Sequence, residues 1–274
     1  MPDHEQQEIP FKERRLRSPK LRRGIFLLPS LFTVANLLCG YYAVVASFMG
    51  GTDQFDRAAK AIGFAILFDS LDGRVARMTG TTSEFGVQFD SLADVVSFGV
   101  APALMAYAWG VRSLPEQDTL YVQQLSQVGW ICCLVFLICC AWRLARFNVQ
   151  GMAPGDSKSF VGLPTPAAAG VIAALVHGFK FPLHDHHWAW AWVLLVASLG
   201  ALMTSTVRYY GFKDVPWTRR QPSLAIVILC VFAAVIWKYS EVVLPLFACG
   251  YVAAGLMLQI VRALRHRLAP RTAA

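Results

Sequence analysis

Apolar residues run in long blocks along this chain, separated by short polar stretches. Eight blocks are long enough to predict membrane-crossing helices, at about 27–49, 57–78, 85–110, 127–147, 163–180, 187–209, 222–240 and 242–264. A helix that crosses a bilayer needs roughly 17–25 mostly apolar residues. Only helices and closed barrels satisfy their backbone in hydrocarbon, and these blocks are too long and continuous for barrel strands. The pattern predicts an all-α polytopic membrane protein with about eight transmembrane helices. The first block reads as a span and not a cleaved leader, because its basic lead-in is long, no A-x-A site follows it and seven more blocks do. No repeat or low-complexity linker divides the chain. One membrane domain is expected over 25–265, between basic tails at 1–24 and 266–274, the first of them either lying on anionic headgroups or a plain solvated tail.

Composition supports the pattern. The chain is 56% hydrophobic and 15% charged, where a soluble domain carries roughly 25% charged residues. The net charge of +8 would suggest nucleic acid in a soluble protein. Here its distribution explains it. With the N-terminus in the cytosol, 20 of the 25 lysines and arginines fall at cytosolic ends and loops. Only Arg57, Lys60, Arg112, Lys180 and Lys238 fall on the other side, a bias expected of a multi-pass protein in the cytoplasmic membrane with both termini inside. Tryptophans 109, 130, 188, 190 and 237 are then expected as an outer aromatic belt. The seven cysteines all lie in apolar blocks without a CxxC pair, which argues against disulfides and thiolate metal sites. His184, Asp185, His186 and His187 read as a polar loop, and His177 as a helix-end residue. No Walker loop, GxSxG or HExxH pattern is present.

One stretch breaks the apolar pattern. FDSLDGRVARMTGTTSEFGVQFDSLADVV, residues 68–96, holds four aspartates inside two predicted spans. Asp69 and Asp72 are spaced i, i+3 on the second helix, and Asp90 and Asp94 i, i+4 on the third, so each pair shares a face. Thr81-Thr82-Ser83-Glu84 fits a capping box that starts the third helix near Thr82, and Gly80 suits the end of the second. Asp69 and Asp90 then lie roughly 13 Å and 12 Å from the connecting turn. The antiparallel helices bring them to one level near the cytosolic side, with Asp94 about a turn deeper. Four carboxylates there repel unless they are protonated or bind cations. Hard divalent ions prefer such oxygens, and a pair of them can clamp a phosphoryl group in transfer. Gly73, Ala76 and Gly86 clear space beside these faces, and Arg77 offers a fork for phosphate oxygens. The bland alternative is that the acids are ion-paired glue, with Arg74 and Arg77 as partners.

The full spacing, Asp69-x2-Asp72-Gly73-x2-Ala76-Arg77-x8-Gly86-x3-Asp90-x3-Asp94, resembles the signature of the CDP-alcohol phosphotransferases. Its flanks, LPSLFTVANLLCG (28–40), FDSLADVVSFGVAPA (89–103), WRLARFNV (142–149) and FVGLPTPAAAG (160–170), resemble those of integral-membrane phosphatidylserine synthases. The resemblance covers roughly residues 25–210. It implies the fold of that family and transfer of a phosphatidyl group from CDP-diacylglycerol to L-serine, with CMP released. It implies two divalent ions, Mg²⁺ or Mn²⁺, held by Asp69, Asp72, Asp90 and Asp94, with Asp94 the general base. Thr33, Asn36, Asp69, Gly73, Ala76, Arg77 and Gly86 are the implied CDP-binding residues, and a homodimer the implied assembly. Serine brings a carboxylate that needs a cation. Arg143 and Arg146, with Asn148 close behind, are candidates for it or for phosphate, as are Lys158, Arg208 and Lys213; the alternative for all of them is positive-inside anchoring. Two rivals remain open. The acceptor could be glycerol 3-phosphate or an inositol phosphate, or the acid cluster could serve a cation transporter, where midplane acids and broken helices are expected.

Overall fold

The computed structural model describes residues 19–79, 83–115, 120–150, 160–205, 208–209 and 222–268, without the side chains of 19–30, 76, 77, 79, 150, 160, 161, 208, 209, 222–234, 236, 237, 260 and 262–268. Within them the chain is all-α. Helices α1 (Pro19–Met49) and α2 (Thr52–Thr79) form an antiparallel hairpin. Its turn is Gly50-Gly51, whose φ angles of +71° and +88° suit glycine and strain other residues. Then follow α3 (Glu84–Asp94), α4 (Ala101–Tyr107), α5 (Leu120–Gln150), α6 (Thr165–Phe179), α7 (His186–Thr204) and α8 (Pro222–Leu268). A two-residue antiparallel pairing of Phe160–Val161 with Arg208–Tyr209 ties the α5–α6 connection to the α7–α8 connection.

Among the described residues, five helical stretches are long and apolar enough to cross a membrane: Leu31–Met49, Glu84–Arg112, Leu120–Val149, His186–Thr204 and Lys238–Gln259. Helix α2 carries too many charges to qualify by composition, and α6 is a shorter apolar helix. Both are held inside the bundle, with Ala58, Ile62 and Ala65 of α2 and Ala168, Ile172 and Val176 of α6 buried together in the core. Exposed apolar side chains such as Leu38, Phe48, Phe64, Ile131, Trp142, Leu194 and Leu246 cover the outside. That inverted surface is what lipid requires, and the protein is an integral membrane protein.

Several expectations shift. The third block is not one α-helix. Val95–Val100 and Ala108–Arg112 are π-helical turns flanking α4. Pro102 sits at the start of α4, where it cannot donate and its ring crowds the preceding turn; the wider π turn accommodates it. The last two blocks form one helical run broken only at Tyr239 (φ −123°, ψ 30°). The cap of α3 lies two residues later than expected. Ser83, not Thr81, caps it, accepting from the Gly86 N–H at 3.0 Å. Helix α1 starts at Pro19, inside the stretch expected as tail. Trp109 is no belt residue. It is buried and packs against the buried Trp192, ring centroids 4.9 Å apart and planes tilted by 59°. Trp130, Trp188 and Trp190 are exposed as expected; the Trp237 side chain is outside the described ones. Of the residues read as a polar loop only His184 and Asp185 lie outside a helix; His186 and His187 begin α7, which Asp185 caps by accepting from the His187 N–H. The six described cysteines are free.

His177 departs most. It is buried near the end of α6, its Nδ1 2.5 Å from Asp56 Oδ1 on α2 and its Nε2 2.9 Å from Ser240 Oγ on α8. Asp56 also accepts from Lys60 Nζ at 2.6 Å, and Lys180 pairs with Glu241 at 2.5 Å. Gly178 permits the approach of α8, since a Cβ there would stand 2.6 Å from the Glu241 carbonyl oxygen. His177 therefore joins three helices.

Candidate active site

The α2 and α3 faces meet as their spacing predicts. One carboxylate oxygen each from Asp69, Asp90 and Asp94 lies within 4.8 Å of the others. Asp72 takes a different direction. Three residues along a helix is a rotation of roughly 60° from the starting face, which turns Asp72 from α3 toward α1. There the Thr33 hydroxyl donates to Asp72 Oδ2. Three residues on, Asn36 Nδ2 donates to Asp94 Oδ1 at 3.0 Å. Thr33, Asn36, Asp72 and Asp94 are all buried.

Helix α1 reaches the acids because Gly40 has no side chain. A Cβ there would fall 2.3 Å from Ser97 Oγ and 2.8 Å from Ser97 Cα. The contact lets Ser97, in the π turn after Asp94, donate to the Asn36 carbonyl at 2.9 Å. Asn36 is thus fixed at its backbone and aimed at Asp94 by its amide. Ser97 and Gly40 were not found by sequence reasoning. The available signal was the spacing of Thr33, Asn36 and Gly40, which recur at i, i+3 and i+7 and so line one face of α1.

Among the described residues five buried side-chain atoms lack a hydrogen-bond partner, and four of them surround these residues: Asn36 Oδ1, Asp72 Oδ1, Asp90 Oδ1 and Arg143 Nε. Buried polar atoms are otherwise nearly always partnered. None of the ion pairs among the described residues involves Asp69, Asp72, Asp90 or Asp94. Among the described side chains, Arg74 included, the acids have no ion-pair partner, and the Arg77 side chain lies outside them. Like charges this close in a water-poor setting destabilise one another strongly. An all-oxygen, carboxylate-rich donor set suits a hard divalent cation, so the residues fit one.

The other expected residues separate into groups. Arg143, half-buried on α5, directs Nη1 toward Thr165 Oγ1 at 3.5 Å and lies in the electrostatic range of Asp94. Thr165, fully buried at the start of α6, was not singled out in the sequence. Arg146 is half-buried one turn beyond Arg143. Asn148 donates to Ser91 Oγ at 2.8 Å, a tie between α5 and α3. Gly86 lies in the first turn of α3 beside its cap and Gly73 on exposed α2 surface. The side chains of Ala76, Arg77 and Arg208, and all of Lys158 and Lys213, lie outside the described residues.

Residues 26–203 match the family model described as CDP-alcohol phosphatidyltransferase. The chain is 33% identical over 235 residues to a CDP-diacylglycerol–serine O-phosphatidyltransferase of Helicobacter pylori, covering 85% of this chain and 91% of that protein. It is 34% identical over 234 residues to the protein of the same description from Mycobacterium tuberculosis, covering 81% and 75%. It is 37% identical over 185 residues to the archaetidylserine synthase of Methanothermobacter thermautotrophicus, covering 66% and 69%. The matched segment contains all four aspartates and the face of α1 that holds two of them, and on these grounds the chain belongs to the CDP-alcohol phosphatidyltransferase family.

Proposed function

We propose that this protein is a phosphatidylserine synthase, which transfers the phosphatidyl group of CDP-diacylglycerol to the hydroxyl of L-serine and releases CMP. The observation that carries the reading is the convergence of Asp69, Asp90 and Asp94 within 4.8 Å, with none of them in an ion pair among the described residues. Serine as acceptor is supported by relatives that bear that activity in their names.

Asp69, Asp90 and Asp94 would hold divalent metal, with Asp72 contributing its free Oδ1. Bound there, Mg²⁺ or Mn²⁺ supplies positive charge that offsets the diphosphate and improves CMP as a leaving group. Asn36 holds Asp94 in one orientation. The Asp94 carboxylate accepts the proton of the serine hydroxyl. The serine oxygen bonds to the phosphorus that carries diacylglycerol, and the bond from that phosphorus to the bridging oxygen breaks, with its electron pair leaving on CMP. Thr33, Gly73, Ala76, Arg77 and Gly86 receive the CDP group. Arg143, with Thr165 beside it, receives the serine carboxylate or a phosphate oxygen, and Arg146 assists. Asn148 acts on this region through α3. The site opens to the cytosol of a cytoplasmic membrane, where a soluble amino acid meets a lipid whose tails stay in the bilayer, and two copies form a homodimer.

Purified protein supplied with CDP-diacylglycerol, divalent metal and labelled serine, glycerol 3-phosphate or inositol phosphate tests the acceptor. Phosphatidylserine formed from serine alone is expected. Product from glycerol 3-phosphate alone would overturn the acceptor and leave the family intact. Ion flux without CMP release would overturn the transferase reading altogether. Replacing Arg143 by alanine should raise the KM for serine more than that for CDP-diacylglycerol.

A further inference from the structure

At the end of the bundle away from the aspartates, α1 and α2 leave a groove of about 350 Å³ on their lipid-facing side. Its walls are apolar and aromatic: Leu38 and Tyr42 from α1, Ala61 and Phe64 from α2. Its rim carries two cations, Arg57 and Lys60. We propose that this groove binds one anionic phospholipid, with the headgroup phosphate on Arg57 and Lys60 and an acyl chain along Leu38, Tyr42, Ala61 and Phe64.

Three observations carry this. The first is depth. Arg57 and Lys60 lie five and eight residues from the start of α2, roughly 8 Å and 12 Å below the Gly50-Gly51 turn, and Leu38 lies roughly 16 Å below the end of α1. Charge therefore sits toward the membrane surface and hydrocarbon toward its middle, the order of groups in a phospholipid. The second is exposure. Leu38, Tyr42 and Phe64 are 62%, 46% and 57% exposed, so the groove opens to lipid instead of being filled by the bundle. The third is charge. Asp56, the residue before Arg57 and one turn before Lys60, gives one carboxylate oxygen to His177. Lys60 shares one of its oxygens but keeps an exposed side chain, and Arg57 has no ion pair among the described residues. The Arg57 guanidinium, with the Lys60 ammonium shared with Asp56 beside it, complements at the edge of an apolar groove a phosphate diester that carries a net negative charge. The proposal is independent of the reaction assigned to the aspartates, because the two regions share no residue.

The test is lipid retention by the full-length protein, reconstituted in phosphatidylcholine vesicles with a minor fraction of phosphatidylglycerol, extracted in mild detergent and weighed by native mass spectrometry. The wild type should retain one phosphatidylglycerol in preference to phosphatidylcholine. Arg57→Gln should lower that retention about fivefold, and Arg57→Gln with Lys60→Gln further. Ala61→Trp should abolish it by filling the groove while both charges stay. Thermal melting and CMP release in the same samples report whether each variant is folded, and the Arg57→Gln variant alone suffices if Ala61→Trp does not fold. Equal retention of both lipids by the wild type, or unchanged phosphatidylglycerol retention in a folded Arg57→Gln protein, would overturn the proposal.

Discussion

Helix α2 carries acids near both of its ends, and the two sets are used in opposite ways. Asp56 has both oxygens occupied, one by His177 and one by Lys60. Asp72, and Asp90 on α3, each keep a buried oxygen with no partner. The same kind of side chain thus serves as a finished joint in one place and keeps an unpartnered oxygen in the other. An acid whose partners all come from its own chain, as the half-buried Asp56 does, adds to the fold. One left open costs stability, and that cost is understandable where an outside cation or substrate completes it. The contrast supports the proposed placement of the active site without reference to any relative.

The largest effect that would break the comparison lies at Asp94. Asp94→Asn should lower CMP release at least about 10³-fold without lowering the melting temperature measured in chelator, since it removes charge from a crowded cluster. A variant that turned over normally would show the open acids to be idle. Chelation of the wild type should abolish turnover reversibly. Added Mg²⁺ or Mn²⁺ should raise the melting temperature of the wild type and not that of Asp94→Asn, because a ligand that binds only the folded state stabilises it. Asn36→Ala should follow with a fall in kcat of about tenfold, and KM little changed, since it orients Asp94 without being consumed.

The finished joint should respond in the other currency. His177→Ala leaves Asp56 and Ser240 each short of a partner and should cost about 1–3 kcal/mol of stability, read by thermal melting, with turnover per folded molecule within about twofold. A loss of turnover larger than the loss of folded protein would mean that the two ends are coupled. Smallest of all, Lys180→Ala should leave the melting temperature unchanged, because its pairing with Glu241 is exposed and water competes for it.

Much of the site was legible in one dimension. The i, i+3 and i, i+4 spacings placed the acids on facing helices, and three of them meet as expected. The direction of Asp72 was not legible. Its turn toward Thr33 follows from helix geometry only once α1 is known to lie on that side. The cap at Ser83 shows a similar limit: three consecutive hydroxyl residues, Thr81, Thr82 and Ser83, all suit an N-cap, and only the backbone decides among them. Trp109 was read as a belt residue from its type and position, yet Trp192, 83 positions later, claims it for the core. His177 had no local signal at all, since its partners lie 121 and 63 residues away.

By itself, the order of residues determined that this chain lives in lipid, that its spans are helical, and that one hairpin concentrates carboxylates at a common depth. Those properties depend on hydropathy and on the helical repeat, both of which are local. The tertiary structure decided which acids stay open and which are closed, because that depends on what stands opposite. Gly40 let α1 come close enough for Asn36 to grip Asp94, and Gly178 let α8 come close enough for Ser240 to complete His177. Side chains far apart along the backbone met or missed according to how near two helices could approach, and no local pattern encodes that distance.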